Sequence, residues 1–179
     1  TRAIGHAGTL DPMATGVLVL AVGEGTKLVS YLTSADKAYD ADVALGVETV
    51  SGDAEGEVTE RAVVPANLTR AAVEAAAAQF IGDIDQVAPA VSAIKVDGER
   101  LHARVRRGEV VVAPTRQVRC DSIEVVEVTP TSLRLRVRCG KGFYVRSLAR
   151  DLARALGTVG HLTALRRTQS GPFTLDGSV

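Results

Sequence analysis

One carboxylate stands in the stretch GHAGTLDPMATG, residues 5–16, among small residues and a single histidine. A core segment would carry bulk, and an ordinary surface loop several polar groups. This one carries His6, Asp11 and a backbone open to close approach. Pro12 disfavours helical dihedrals at Asp11 and keeps it extended, so the backbone aims the carboxylate. Gly5, Gly8 and Gly16 admit another chain segment or a ligand. A bare Asp-Pro pair is more often a turn than a site, and the small residues on both sides set this one apart. A carboxylate withdrawn from water needs a partner, and guanidinium pairs with it best. Arg146, in GKGFYVRS at 140–147, is the candidate; the alternatives for it are a phosphate contact or a surface helix position. Tyr39 and Tyr144 belong to a set of only 3 Tyr and 3 Phe. Each reads either as half-buried packing or as a platform for a base, and His6 as a loop residue or a catalyst.

Other chemistries lack their residues. GEGTK at 23–27 does not have the spacing of a phosphate loop. His6, His102 and His161 are scattered, with no Cys or carboxylate at ligand offsets, so no metal site is expected. Cys120 and Cys139 form neither a metal pattern nor a disulfide framework and read as cytoplasmic thiols, able to pair only if they face each other across adjacent strands. There is no GxSxG and no dinucleotide fingerprint. The apolar run Val17–Val22 is too short for a membrane span, and no cationic leader precedes an apolar segment. The expectation is a cytoplasmic protein that needs neither metal nor organic cofactor and engages no membrane.

The formal net charge of the 179 residues is zero, but it is unevenly spread. Residues 1–89 hold 5 Lys and Arg against 13 Asp and Glu, a balance of −8; residues 90–179 hold 16 against 8, a balance of +8. Such asymmetry points to an anionic partner held by the second half, or to two solvated faces of one domain.

The elements that must position these residues follow from pattern. Val17–Val22 reads as a buried strand and Gly25–Thr33 as a short helix. Tyr39–Leu45 alternates and stops at Gly46, as a strand does. Residues 51–57, SGDAEGE, read as an acidic loop. Thr69 caps an Ala-rich helix that runs to about Ile81. Val91–Val96 reads as a strand, Asp97-Gly98 as a turn, and a basic helix with Arg100, Arg104, Arg106 and Arg107 follows. Gln117–Val128 and Ser132–Cys139 read as a hairpin. In its second strand Arg134, Arg136 and Arg138 share one face. Ser147 is placed to cap a last helix with Leu148, Leu152 and Leu156 on one side. Strands and helices mix without regular alternation, so the expected class is α+β, with a mostly antiparallel sheet flanked by helices.

The string GHAGTLDPMATGVL resembles the signature of the TruB family of tRNA pseudouridine synthases. Lys37-Ala38-Tyr39 is similar to the family's K-x-Y strand, and LGVETVSGDAEGEV (45–58) to its L-G-x-x-T segment. QVAPAVSAIKVDGERLHARVRRGE (86–109) resembles its Q-x-P-P-x-Y-S-A-x-K segment, with Ala90 and Val91 departing from the P-x-Y portion. CGKGFYVRSLARDL (139–152) resembles S-x-G-x-Y-I-R, and HLTALRRTQSGPF (161–173) the closing L-R-R. The motifs arrive in family order over nearly the whole chain. The resemblance implies a single catalytic domain over 1–179 that lacks the family's N-terminal strand and any C-terminal PUA-type appendage.

It also implies roles. Asp11 would attack the target nucleotide, Arg146 would pair with Asp11, and Tyr39 would stack on the flipped uracil and help remove the C5 proton. Tyr144 and Leu165 would wall the pocket, and His6 would press into the T loop. The implied reaction turns the T-loop uridine of tRNA, position 55, into pseudouridine, without a cofactor and by a monomer. Arg104, Arg107, Arg134, Arg136 and Arg138 are the expected contacts to the RNA backbone. A non-catalytic tRNA-binding or folding module is the alternative; a glycosidase would need a second, opposed acid.

Overall fold

Two long alternating segments and one helix with a continuous apolar side account for most of the architecture. The computed structural model describes residues 3–92, 95–96, 99–100, 107 and 113–177. In chain order the strands are β1 (Ile4–His6), β2 (Thr15–Gly16), β3 (Leu20–Val22), β4 (Lys37–Leu45), β5 (Val47–Thr49), β6 (Val58–Arg61) and β7 (Gly82–Val87). They continue with β8 (Lys95–Val96), β9 (Glu99–Arg100), β10 (Thr115–Val128), β11 (Ser132–Cys139), β12 (Gly160–Ser170) and β13 (Phe173–Thr174). The α-helices among the described residues are α1 (Val29–Ser34), α2 (Arg70–Ala78) and α3 (Val145–Ala155).

One sheet runs β13-β12-β4-β11-β10-β7, every neighbouring pair antiparallel, and β2 adds to β12 in parallel. The α+β expectation with a mostly antiparallel sheet therefore holds. Period-two alternation sends Ala41, Val43 and Leu45 of β4, and Leu133, Leu135 and Val137 of β11, to one face. There they meet Leu148, Leu152 and Ala153 of α3 and Val73 and Ala77 of α2 in one core. Burying each Leu or Val stabilises the fold by about 1.5–3 kcal/mol. Thr69 caps α2 by accepting from the Ala72 amide at 3.2 Å.

Several expected elements differ. Strand β3 is only Leu20–Val22, and its Leu20 and Val22 face outward. Within the run at 17–22 Val17 and Ala21 are buried while Leu18, Leu20 and Val22 are exposed, because β3 pairs only with β1 in a two-stranded ribbon and not in a sheet interior. Residues 91–92 are a bend, and Arg100 lies in β9, paired antiparallel with β8, where a basic helix was expected to have begun. Arg104 and Arg106 lie outside the described residues; Arg107 is an exposed turn residue. Helix α3 starts at Val145 with Tyr144 as its N-cap, so Ser147 sits inside the first turn; its hydroxyl donates instead to the Val87 carbonyl at 2.7 Å, tying the helix to β7.

Cys120 and Cys139 are register partners across β10 and β11, both fully buried, and both are free thiols. Burial pushes the Cys120 thiol up to about 11 and the Cys139 thiol up to about 12 from the ordinary 9.0. The folded state thus holds these protons more tightly than the unfolded chain. Their contribution to stability is complete below pH about 9 and is lost as pH rises toward 11–12. Denaturant midpoints should fall over that interval and fall less steeply in Cys120→Ala/Cys139→Ala. A double variant with the wild-type slope would show that the thiols do not titrate in the fold.

Candidate active site

The loop that carries Asp11 lies against the first turn of α3. Arg146 reaches it with two parallel bonds: Nε donates to Asp11 Oδ2 at 2.9 Å and Nη2 to Oδ1 at 2.8 Å. Its Nη1 donates to the Ser51 carbonyl at 2.9 Å and the Val91 carbonyl at 3.0 Å. The Arg146 side chain is 7% exposed and that of Asp11 28%, so the cation is enclosed while its acid keeps one open side. A planar guanidinium used in this way fixes both carboxylate oxygens in one orientation.

That open side faces a cavity of about 330 Å³, lined by Tyr39, Tyr144, Leu165, Phe143 and Lys37 as well as by Asp11 and Arg146. Tyr39 enters from β4 and Leu165 from β12, both on the core face of the sheet. Tyr144 is fixed through its backbone. The buried Gln86 donates to its carbonyl at 3.1 Å, and the Tyr144 amide donates back to Gln86 Oε1 at 2.8 Å. Burial raises the phenol pKa of both tyrosines, Tyr39 being further raised by Cys139 and opposed by Arg167. Burial, with Arg167 next, lowers the Lys37 pKa; this ammonium donates to the Thr33 carbonyl at 2.9 Å and the Ala35 carbonyl at 2.5 Å. One apolar wall, one aromatic pair and one aimed carboxylate make a slot for a flat polar ring. Among the described residues no His, Cys, Asp or Glu cluster of three could hold a metal ion.

Residues 1–145 match the sequence profile of the TruB family pseudouridylate synthase N-terminal domain, and residues 146–179 that of the tRNA pseudouridylate synthase B C-terminal domain. The chain belongs to the TruB family. It is 52% identical over 182 residues to the tRNA pseudouridine synthase B of Arthrobacter sp. (strain FB24), covering 98% of this chain and 59% of that protein. It is 47% identical over 172 residues to that of Francisella tularensis subsp. tularensis (strain WY96-3418), covering 96% and 57%. The chain thus spans a little under three fifths of these curated relatives. Among solved structures it resembles a chain of a Cbf5-Nop10-Gar1 complex, with a TM-score of 0.71 and 30% identity over 97% of this chain and 42% of that one. A chain of an H/ACA RNP bound to a substrate RNA containing 2'-deoxyuridine follows, with a TM-score of 0.66 and 27% identity over 97% and 40%. The two TruB profiles meet inside the first turn of α3, and β12 of the second pairs with β4 of the first, so both contribute to one sheet.

Of the residues singled out in sequence, Asp11, Tyr39, Tyr144, Arg146 and Leu165 come together in this TruB-family site. His6 does not line the cavity; it is exposed on β1, opposite Leu20. The arginine stripe lies away from the cavity. Val137, Leu135 and Leu133 share the core face with Tyr39, so Arg134, Arg136 and Arg138 lie on the opposite face of the sheet. Arg134 bonds Asp42 at 2.8 Å and reaches Glu127 at 3.5 Å, and Arg136 bonds Glu124 at 2.9 Å and Asp40 at 3.3 Å. Two of the three are already spent on acids of the same sheet.

Asp53 escaped the sequence reading. In an acidic, Gly-punctuated loop it looked solvated, but it is 3% exposed. Its Oδ1 accepts from Ser51 Oγ at 2.5 Å and from the Glu55 amide at 3.1 Å, and its Oδ2 lies 3.7 Å from Arg146 Nη1. Arg146 is therefore flanked by two acids. The one available signal was Ser51 two residues earlier, the spacing of a local side-chain turn.

The far end of the Asp11 loop is pinned at Gly16, whose φ is +96°. A Cβ there would overlap the Arg167 carbonyl oxygen, which accepts from the Val17 amide at 2.8 Å. Gly157 also has positive φ, +79°, but open space around it. Gly157→Ala should cost about 1–2 kcal/mol from backbone strain alone. Gly16→Ala should cost a further ~1–3 kcal/mol because the β12 backbone must move. Equal losses in chemical denaturation of the two variants would mean that the loop is not held against β12.

Proposed function

We propose that this chain carries the catalytic centre of a tRNA uridine isomerase, acting as a cytoplasmic monomer on the T stem-loop and converting the uridine at position 55 to pseudouridine. The observation that carries this reading is the Asp11 carboxylate, held by two bonds from Arg146 and open on one side to a slot walled by Tyr39, Tyr144 and Leu165. Isomerisation breaks the N1–C1′ bond, turns the base, forms C5–C1′, and moves one proton from C5 to N1. Nothing is oxidised and no water is consumed, so positioned side chains suffice. Asp11 supplies the nucleophile. Tyr39 stacks on the base and Leu165 closes the other side, so that the detached uracil stays in place while it turns.

Extruding the base costs a few kcal/mol, which stacking in the slot and contacts to the RNA backbone offset. Lys37 and Lys141 on the cavity wall place positive charge where the phosphates of an inserted nucleotide would lie. The resemblance gives His6, exposed on the ribbon beside the loop, the space that the extruded base vacates in the T loop.

With a T-arm transcript tritiated at uridine C5, Asp11→Asn should lower tritium release by more than ~1,000-fold and leave RNA affinity nearly unchanged. A variant that still releases tritium, or that loses only affinity, removes Asp11 from the nucleophile's role. Free base in place of tritium would indicate a glycosidase, and binding without either product a folding module. Because Arg134 is committed to Asp42 and Glu127, Arg134→Ala should leave the salt dependence of RNA binding as it is. A phosphate contact there would instead lower the salt slope by about 1.

A further inference from the structure

Arg167 is the largest side chain among the fully buried ones, at 1% exposure. Among the described residues no carboxylate lies within ion-pairing distance of it. A buried charge left without an acid is costly unless its donors are satisfied, and here backbone carbonyls satisfy them. Nε donates to the Val17 carbonyl at 2.7 Å, Nη2 to the Gly8 carbonyl at 3.2 Å and Nη1 to the Thr9 carbonyl at 3.4 Å. These acceptors flank Asp11 in sequence on both sides. The backbone of Arg167 adds a fourth bond to the same loop, from the Val17 amide at 2.8 Å. In register, Arg167 sits directly opposite Tyr39 across β12 and β4, on the cavity side of the sheet, and both line the cavity.

We infer that Arg167 is a positioning residue: its one guanidinium spans both ends of the Asp11 loop and abuts Tyr39, setting carboxylate and phenol at a fixed mutual distance. The inference rests on the isomerase reading for its catalytic consequence, but not for its geometry. A neutral residue of similar length would fill the space and leave three carbonyls unpaired. A lysine would keep the charge but could not reach both loop ends, since its three donors share one nitrogen whereas the guanidinium spreads its donors over Nε, Nη1 and Nη2. The titratable groups that act on the Tyr39 hydroxyl are Arg167 from β12, Cys139 from β11 and Asp11 from the loop. Of these only Arg167 favours the phenolate, the form that can accept a proton from C5. Lys37, on β4 with Tyr39, is also acted on by Arg167.

The test uses Arg167→Lys and Arg167→Met in the whole chain, with tyrosines carrying a ¹³Cζ label. Tyr39 is assigned by its loss in Tyr39→Phe, and its titration is followed by NMR without RNA. Arg167→Met should move the Tyr39 titration to higher pH, and Arg167→Lys should leave it near wild type. Single-turnover tritium release should fall ~100-fold in Arg167→Lys, the scale of a 1 Å misplacement, with RNA affinity retained. If Arg167→Met does not fold, Arg167→Lys alone decides through its split between rate and affinity. An unmoved Tyr39 titration in folded Arg167→Met, or wild-type turnover in Arg167→Lys, overturns the inference. If the wild-type chain releases no tritium, the isomerase reading fails, while the Tyr39 titration still judges the geometry.

Discussion

The fold around the cavity is organised by one bidentate ion pair, Asp11 with Arg146, joining residues 135 positions apart in the chain. Neither partner is well placed alone. Arg146, 7% exposed, is a desolvated cation, and without Asp11 it would keep only Asp53, at 3.7 Å, as a countercharge and lose the two bonds that orient its fork. Asp11 without Arg146 would be a flexible carboxylate at the mouth of a loop made of small residues. The pair makes the loop a wall of the cavity, and the bonds to Ser51 and Val91 extend that constraint to two further segments. Asp53, behind Arg146, draws the guanidinium from the other side and leaves Asp11 free to face the cavity.

A pair of this kind is only as well aimed as its supports. On the Arg146 side the support is the start of α3, where Gln86 clamps Tyr144 by exchanging two backbone bonds and Ser147 ties the same turn to β7. On the Asp11 side it is β12, through the Gly16–Arg167 contact and the three carbonyls held by the Arg167 side chain. The supports come from β7 at one edge of the sheet and β12 next to the other, and the sheet between them packs on buried Val and Leu residues that leave little room for relaxation. The Asp11 carboxylate thus sits on a loop, and rigidity reaches it from strands and a helix.

What could be read from the sequence, and what could not, follows from periodicity. The hairpin of β10 and β11 was legible because β11 alternates without a break, Leu133, Leu135 and Val137 against Arg134, Arg136 and Arg138, although β10 carries two bulges; α3 was legible because Leu148 and Leu152 recur one helical turn apart. Asp11 stood out because small residues make no sense around it unless something must approach. Strand β12 was not recognised as a strand, although it is eleven residues long and pairs along most of β4. Two bulges, at Leu162/Ala164 and Arg167/Gln169, break its alternation, so that its inward residues Leu162, Leu165, Arg167 and Ser170 follow no period of two. An arginine on the inner face further disguises it. Asp53 was hidden for a similar reason: burial of an acid depends on a partner 93 residues away, which no local pattern announces.

The charge distribution is where linear reasoning and space part most clearly. An excess of acid in residues 1–89 and of arginine in residues 90–179 suggests two poles. Among the described residues the strand order interleaves the two signs. Acidic β4 is inserted between basic β11 and β12, so its Asp40 and Asp42 fall beside Arg136 and Arg134 on the outer face, with Asp40 also in register with Arg166. Glu124 and Glu127 of β10 close the same rows from the far side. Cross-strand pairs of opposite sign are the favourable arrangement on an exposed sheet face, and like charges there would repel. The asymmetry in sequence is therefore, in good part, the sign of a strand-pairing code. Cationic surface for an anionic ligand must be sought where no acid answers the base, and on the cavity wall Lys37 donates only to carbonyls.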